Sequence, residues 1–164
     1  MTQMPASDLN EERRDTRFDY ESRLKFKSDG WLVSNIDEHS DSPDRTGSFV
    51  MLSKLKHSRV VINCYEPGQA DEMHCHPGSE HTFLVWKGTL HLRGIEPGEE
   101  LTLGPGDFVQ IKAGYYYQLH NPGSEPAVYC QFGTVPARPP KRNMVFFSES
   151  RRGKQEAAAK SGGA

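Results

Sequence analysis

The chain lacks long apolar runs. Across its 164 residues none approaches the ~20 consecutive apolar positions of a membrane-spanning helix, which excludes a helical membrane protein. It also lacks an excess of one charge. The formal net charge is −2, from 20 Lys and Arg against 22 Asp and Glu, and such a mixture gives no basic field for nucleic-acid binding. Cysteine is scarce. Cys64, Cys75 and Cys130 are an odd set without CxxC spacing, which argues against a disulfide framework and for a reducing compartment. The opening residues show neither the charged n-region nor the apolar h-region of a secretory signal. The expectation is a soluble, cytoplasmic protein that partners neither nucleic acid nor membrane.

Convincing helical periodicity is absent too. Between Gly47 and about Thr134 short apolar runs recur instead: Phe49–Leu55, Val60–Tyr65, Thr82–Trp86, Thr89–Leu92, Leu101–Leu103, Phe108–Ile111, Tyr115–Leu119 and Val128–Phe132. Turn residues separate them, among them Glu66-Pro67-Gly68, Ile95-Glu96-Pro97-Gly98, Gly104-Pro105-Gly106 and Asn121-Pro122-Gly123. Short strands at this spacing predict an all-β sandwich or barrel. Trp31–Ile36 reads as a first strand and Met144–Phe147 as an added edge strand. The expected organisation is a polar N-terminal arm over 1–30, a β-barrel domain over 31–147, and a polar, disordered tail over 148–164. In that tail Glu156–Lys160 is at most a short solvent-exposed helix.

Histidine, by contrast, is concentrated. Three of the seven fall in the run His74-Cys75-His76-Pro77-Gly78-Ser79-Glu80-His81. Histidines one residue apart project to the same side only on a β-strand. His74 and His76 therefore share a face, and Cys75 points away as a small buried hydrophobe. After a Pro-Gly turn, His81 heads the next run, in phase with Phe83 and Val85 and out of phase with Glu80. Farther on, Tyr115, Tyr117 and Leu119 share a face, which puts His120 on the other. Neutral imidazoles converging from neighbouring strands are a donor set for a borderline transition metal. His91 is open between pocket and surface, and His39, His57 and His120 read as surface or loop positions. Trp86, opposite in parity to Val85, is expected against a second sheet or a partner subunit.

Over Val60–Thr134 these features resemble the cupin superfamily. Its first motif runs from Gly through five residues to His-x-His, then Glu, and closes on Gly; here Gly68, His74, His76 and Gly88 match. Its second runs from Gly through five residues to Pro-x-Gly, then His and Asn. Gly106, Lys112-Ala113-Gly114, Tyr117 and Asn121 occupy that frame. The resemblance implies a double-stranded β-helix, or jelly-roll, barrel with Phe83, Val85 and His81 facing inward. It also marks two departures. His81 stands where the family places its Glu, with Glu80 one residue away as the substitute ligand, and Tyr117 stands where the family places a His.

The metal ligands expected on this basis are His74, His76 and His81, with Tyr117 as a ligand or an acid/base. Three neutral imidazoles leave a dication its full charge, which strengthens Lewis acidity, and three protein ligands leave coordination positions open, as catalytic sites do. Resemblance to cupins implies a mononuclear non-heme Fe(II) dioxygenase acting on a small oxygenated molecule. The alternatives are a redox-neutral Zn(II)-, Ni(II)- or Mn(II)-dependent lyase, isomerase or cyclase, and a non-catalytic small-molecule-binding cupin. It also implies a homodimer, to which Trp31–Ile36 is suited. Phe83, Val85, Tyr115 and Leu119 are expected to line a partly apolar cavity.

Overall fold

The computed structural model describes residues 26–28, 30–40, 49–138 and 140–161. Most of the 1–30 arm lies outside the described residues, as do residues 41–48. Twelve strands are described: β1 Phe26–Ser28, β2 Trp31–Leu32, β3 Phe49–Lys54, β4 Ser58–Tyr65, β5 His74–Cys75, β6 His81–Lys87, β7 Leu90–Arg93, β8 Glu100–Leu103, β9 Phe108–Ile111, β10 Gln118–His120, β11 Ala127–Thr134 and β12 Val145–Phe146. Two helices, α1 Asp37–Ser40 and α2 Arg151–Ser161, flank them, with a 3-10 turn at Phe147–Glu149. The all-β jelly-roll expected from the sequence is the fold observed.

One sheet has five strands in the order β3-β4-β11-β6-β9, and the sheet facing it has three, β10-β7-β8. All pairings are antiparallel, so alternate side chains face inward. The inward residues of both sheets make one core: Tyr65, Phe83, Val85, Leu90, Leu92, Leu103, Leu119, Ala127 and Tyr129. Burying one such ring or branched chain contributes about 1.5–3 kcal/mol. A second cluster of Val50, Leu52, Ile62 and Val128 lies on the outer face of the large sheet, with Ile36 packed on it.

The Pro-Gly pairs act through turn geometry. In Glu66-Pro67-Gly68-Gln69 the Gln69 N–H donates to the Glu66 carbonyl, and Gly68 adopts a φ of 77°. Proline presets the first central φ of such a turn and glycine admits the positive second one. Gly88, closing the β6–β7 hairpin, needs glycine twice over. Its φ is 74°, and a Cβ there would lie 2.5 Å from the Pro126 carbonyl oxygen.

Several boundaries differ from the sequence expectation. Trp31–Ile36 is a strand only over Trp31–Leu32, and Tyr115–Leu119 shrinks to β10, because Lys112–Tyr115 is a turn closed by the Tyr115 N–H on the Lys112 carbonyl. The tail expected to be disordered carries α2. Its Gly153 is buried, and Arg152 pairs with Glu96 at 2.5 Å and with Glu156 at 2.9 Å. Helix periodicity could not reveal it, since ion pairs and one glycine, not an apolar stripe, attach it. Trp86 is 40% exposed and does not pack on a second sheet. Its indole N–H donates to the Asp37 carboxylate across a groove lined by Val33–Glu38.

Candidate functional site

The register of the large sheet sets up the site. Gly133 of β11 lies opposite Arg59 of β4 on one side and His81 of β6 on the other. Three strands thus contribute one row at the barrel mouth, with glycine in the middle. A Cβ on Gly133 would stand 2.9 Å from Arg59 Nε and 3.3 Å from His81 Cδ2. The missing side chain is what lets the guanidinium reach the imidazole. Inward from the row, along β6, Phe83 and Val85 are 1% exposed, so the polar mouth rests on a solid apolar floor. Phe83 touches His81, Tyr117 and Tyr129 edge-on, with ring centroids 5.5–5.9 Å apart.

His74 and His76 come from β5 and the residue after it. Their rings meet at 84° with centroids 5.1 Å apart, and the His76 ring lies 4.2 Å from that of His81. His74 Nδ1–H donates to the Glu72 carbonyl at 2.7 Å, and the Asp71 carboxylate lies 3.7 Å from the same nitrogen. His76 Nδ1–H donates to the Asn143 carbonyl at 2.8 Å. A carbonyl only accepts, so both rings carry a proton on Nδ1, and a neutral His76 keeps its lone pair on Nε2.

His81 is 2% exposed. Arg59 Nη2 lies 3.2 Å from its Nε2, and the Tyr117 hydroxyl lies 3.0 Å from its Nδ1. Arginine only donates, so His81 Nε2 accepts and its Nδ1–H donates to the Tyr117 oxygen. The Gln131 amide sits 3.1 and 3.3 Å from the two ring nitrogens. An antiparallel bridge to His74 holds the Tyr117 backbone. Burial, with Asp71 and Tyr65 adding to it, holds the Tyr117 phenol well above its ordinary pKa. It is therefore a neutral hydroxyl.

His76 and His81 are neutral as well. Burial, then the neighbouring His74 and Arg59, lowers His76 to about 3; burial, then His76, Arg59 and His74, lowers His81 to about 2. In the unfolded chain both bind a proton near pH 6.5. Below that pH the unfolded state holds more protons than the folded one, so stability is full above about pH 6.5 and falls as pH drops towards 3. The metal-free protein is expected to lose up to about 1.4 kcal/mol per pH unit for each imidazole in that window. Urea denaturation at successive pH values measures it. Equal stability at pH 7 and pH 4.5 would contradict the burial of these rings.

Residues 61–132 match the cupin domain family. Those residues form a cupin domain. Solved structures share its fold. An uncharacterized conserved protein with a double-stranded β-helix domain, from Klebsiella pneumoniae, is 23% identical with a TM-score of 0.56, over 70% of this chain and 95% of that one. A protein from Bacillus halodurans is 16% identical with a TM-score of 0.58, over 71% and 89%. A cupin-2 domain containing protein from Shewanella frigidimarina is 17% identical with a TM-score of 0.53, over 63% and 94%. No curated protein matches the chain.

Cupin domains often bind metal. Among the described residues of this cupin, no group of three or more His, Cys, Asp or Glu side chains is arranged to hold an ion. His74 and His76 suit a cation in that each ring is fixed by Nδ1 on a backbone carbonyl; Arg59 stands on the His81 Nε2 lone pair. The donor chemistry suits a divalent metal, and the third donor is shared with a guanidinium.

The remaining cupin residues fall out as follows. Glu80 is exposed, and its backbone N–H donates to Thr134 Oγ1, so its carboxylate is outside the cluster. Tyr115, expected to line the cavity, is 52% exposed and does not, because it belongs to the turn. His91 sits opposite His120 on the other face of β7 and β10, 4.0 Å from Glu100. Cys75 is buried, in hydrogen-bond contact with Tyr116. Arg59, Gln131, Asp71 and Asn143 were missed by sequence reasoning. Arg59 and Gln131 were accessible to it, since Arg59 is in phase with the apolar Val61, and Gln131 with Tyr129.

Proposed function

We propose that this cupin is a metal-dependent enzyme acting on a small oxygenated organic molecule at the barrel mouth, with His74, His76 and His81 as ligands of one divalent ion. The observation that carries the reading is the pair of carbonyl-fixed imidazoles. A hydrogen bond from Nδ1 to a backbone carbonyl is how proteins set a ligating histidine's tautomer and raise its basicity, and two occur side by side here. A mononuclear Fe(II) dioxygenase is the favoured form. The alternative is a Zn(II)-, Ni(II)- or Mn(II)-dependent lyase, isomerase or cyclase. When bound, the ion would supply Lewis acidity and, as iron, redox chemistry. Tyr117 acts as a neutral donor: His81 Nδ1–H holds its oxygen, which aims the hydroxyl hydrogen at the substrate. Its raised pKa favours proton donation over proton abstraction.

Elemental analysis of protein purified without added metal tests the reading. Near-stoichiometric iron or another transition metal is expected, and its absence would sink both enzymatic forms. If iron is found, dioxygen uptake with enolates, catechols and thiols separates dioxygenase from redox-neutral chemistry.

One contact favours a second reading, a small-molecule-binding cupin without turnover: Arg59 on His81 Nε2. A guanidinium and a dication repel at this range. Arg59→Met is therefore expected to raise Co(II) affinity about tenfold or more under the enzymatic reading, a change of ~1.4 kcal/mol. Titration followed by visible absorption checks it. We also place the protein in the cytoplasm as a homodimer formed through exposed apolar residues of the Trp31–Ile36 segment, and sedimentation should return twice the chain mass.

A further inference from the structure

We propose that the segment Asn143–Glu149 is a positioning strap for the His74–His76 strand, so that the orientation of both imidazoles depends on its docking. The inference rests on the reading above only for its metal-affinity readout. β5 is two residues long, and among the described strands its sheet partner is β12, with Val145 opposite Cys75 and Phe146 opposite His74. A strand so short has too few ladder bonds to hold itself, so its neighbours decide where it lies.

Contacts run along the whole strap. The Asn143 carbonyl accepts from His76 Nδ1 at 2.8 Å. The Phe147 N–H donates to the Met73 carbonyl at 2.8 Å, fixing the residue before His74. Ser148 Oγ donates to the Glu72 carboxylate at 2.8 Å, and the carbonyl of that same Glu72 receives His74 Nδ1–H. The Phe147 ring meets Tyr116 edge-on at 5.3 Å, beside Tyr117. Each histidine's proton-bearing nitrogen is thus held by the strap directly or one residue removed.

The strap is itself anchored. Arg142 and Glu149 pair at 2.9 Å, and the Phe146 N–H donates to the same carboxylate. α2 packs on its end so closely that a Cβ on Gly153 would overlap the Phe147 carbonyl, and Arg152 ties that helix to Glu96 in the β7–β8 turn. Edge closure alone would be served by the ladder and ring contacts. A backbone carbonyl aimed at an imidazole nitrogen 67 residues away does more: it selects a tautomer.

The test is ¹⁵N spectroscopy of the histidine rings in the metal-free, full-length protein. His74 and His76 are expected as the Nδ1–H tautomer, the minor form of free imidazole side chains in water. Phe147→Pro removes the N–H that bonds Met73, and the extended Phe146 (φ −77°, ψ 144°) accepts a following proline. Phe147→Ala removes the ring and keeps the N–H. In Phe147→Pro the His76 ring should shift towards Nε2–H, and Co(II) affinity should fall about 10–100-fold relative to Phe147→Ala. A wild-type His76 that is mainly Nε2–H, or identical tautomers in wild type and Phe147→Pro, would overturn the strap. Should the proline variant not fold, Ser148→Ala serves. It is expected to shift the His74 ring resonances, and unchanged resonances would count against the proposal. A wild-type protein that takes up no Co(II) would refute the metal reading, while the tautomers would still judge the strap.

Discussion

His76→Ala should lower metal affinity by more than about 100-fold, while Glu80→Ala leaves it within about twofold. Substituting a residue that merely supports a ligand typically costs 10–100-fold, so removing a ligand should exceed that range. His76 Nε2 is a bare donor whose ring is already oriented by Asn143. Glu80 is exposed, and its backbone rather than its carboxylate is engaged with Thr134. His81→Ala should fall between the two, because Arg59 already holds its Nε2 and the metal gains less there. Competition titration against a chromophoric chelator measures all three. If Glu80→Ala proves the damaging change, the ligand assignment is wrong and the β6 strand must rotate its carboxylate inward on loading.

The second large effect concerns stability. Asn121→Ala is expected to destabilise the fold by about 3 kcal/mol and to lower Tm by about 10 °C. Asn121 is completely buried. Its amide donates to the Tyr65 and Glu125 carbonyls, each at 2.8 Å, and its side-chain oxygen accepts from the Gly123 N–H at 2.9 Å. Alanine would remove three hydrogen bonds from a dry interior, where each group left unmatched costs about 1–3 kcal/mol. Thermal melts followed by circular dichroism should show it. A loss under about 1 kcal/mol would mean that water enters and replaces the amide.

The fold was legible because its signals are local. Pro-Gly turns punctuate strands, and strand parity put Phe83, Val85 and His81 on one face. The same parity kept Cys75 and His120 off the face of the cluster. Parity failed at Tyr115, where a turn interrupts the strand and alternation no longer applies. The site was only half legible for a different reason. His74, His76 and His81 lie within eight residues, whereas Arg59 and Gln131 reach them through cross-strand register, and Asn143 through a carbonyl that any residue could supply. The side chain of Asn143 carries none of that role, so no reading of residue types could have found it.

The row Arg59–Gly133–His81 has a kinetic consequence. β11 sits between β4 and β6, although β6 precedes it in the chain by some forty residues and β4 by about sixty. The row does not exist until the last long strand inserts between two that are already made. Pairings between distant segments close slowly, because the loop entropy is lost before the contacts form. The mouth of the barrel is therefore expected to form late in folding. Arg59 and His81 are brought together only where β11 pairs with both β4 and β6, so the third imidazole of the cluster depends on the most distant pairings of the large sheet.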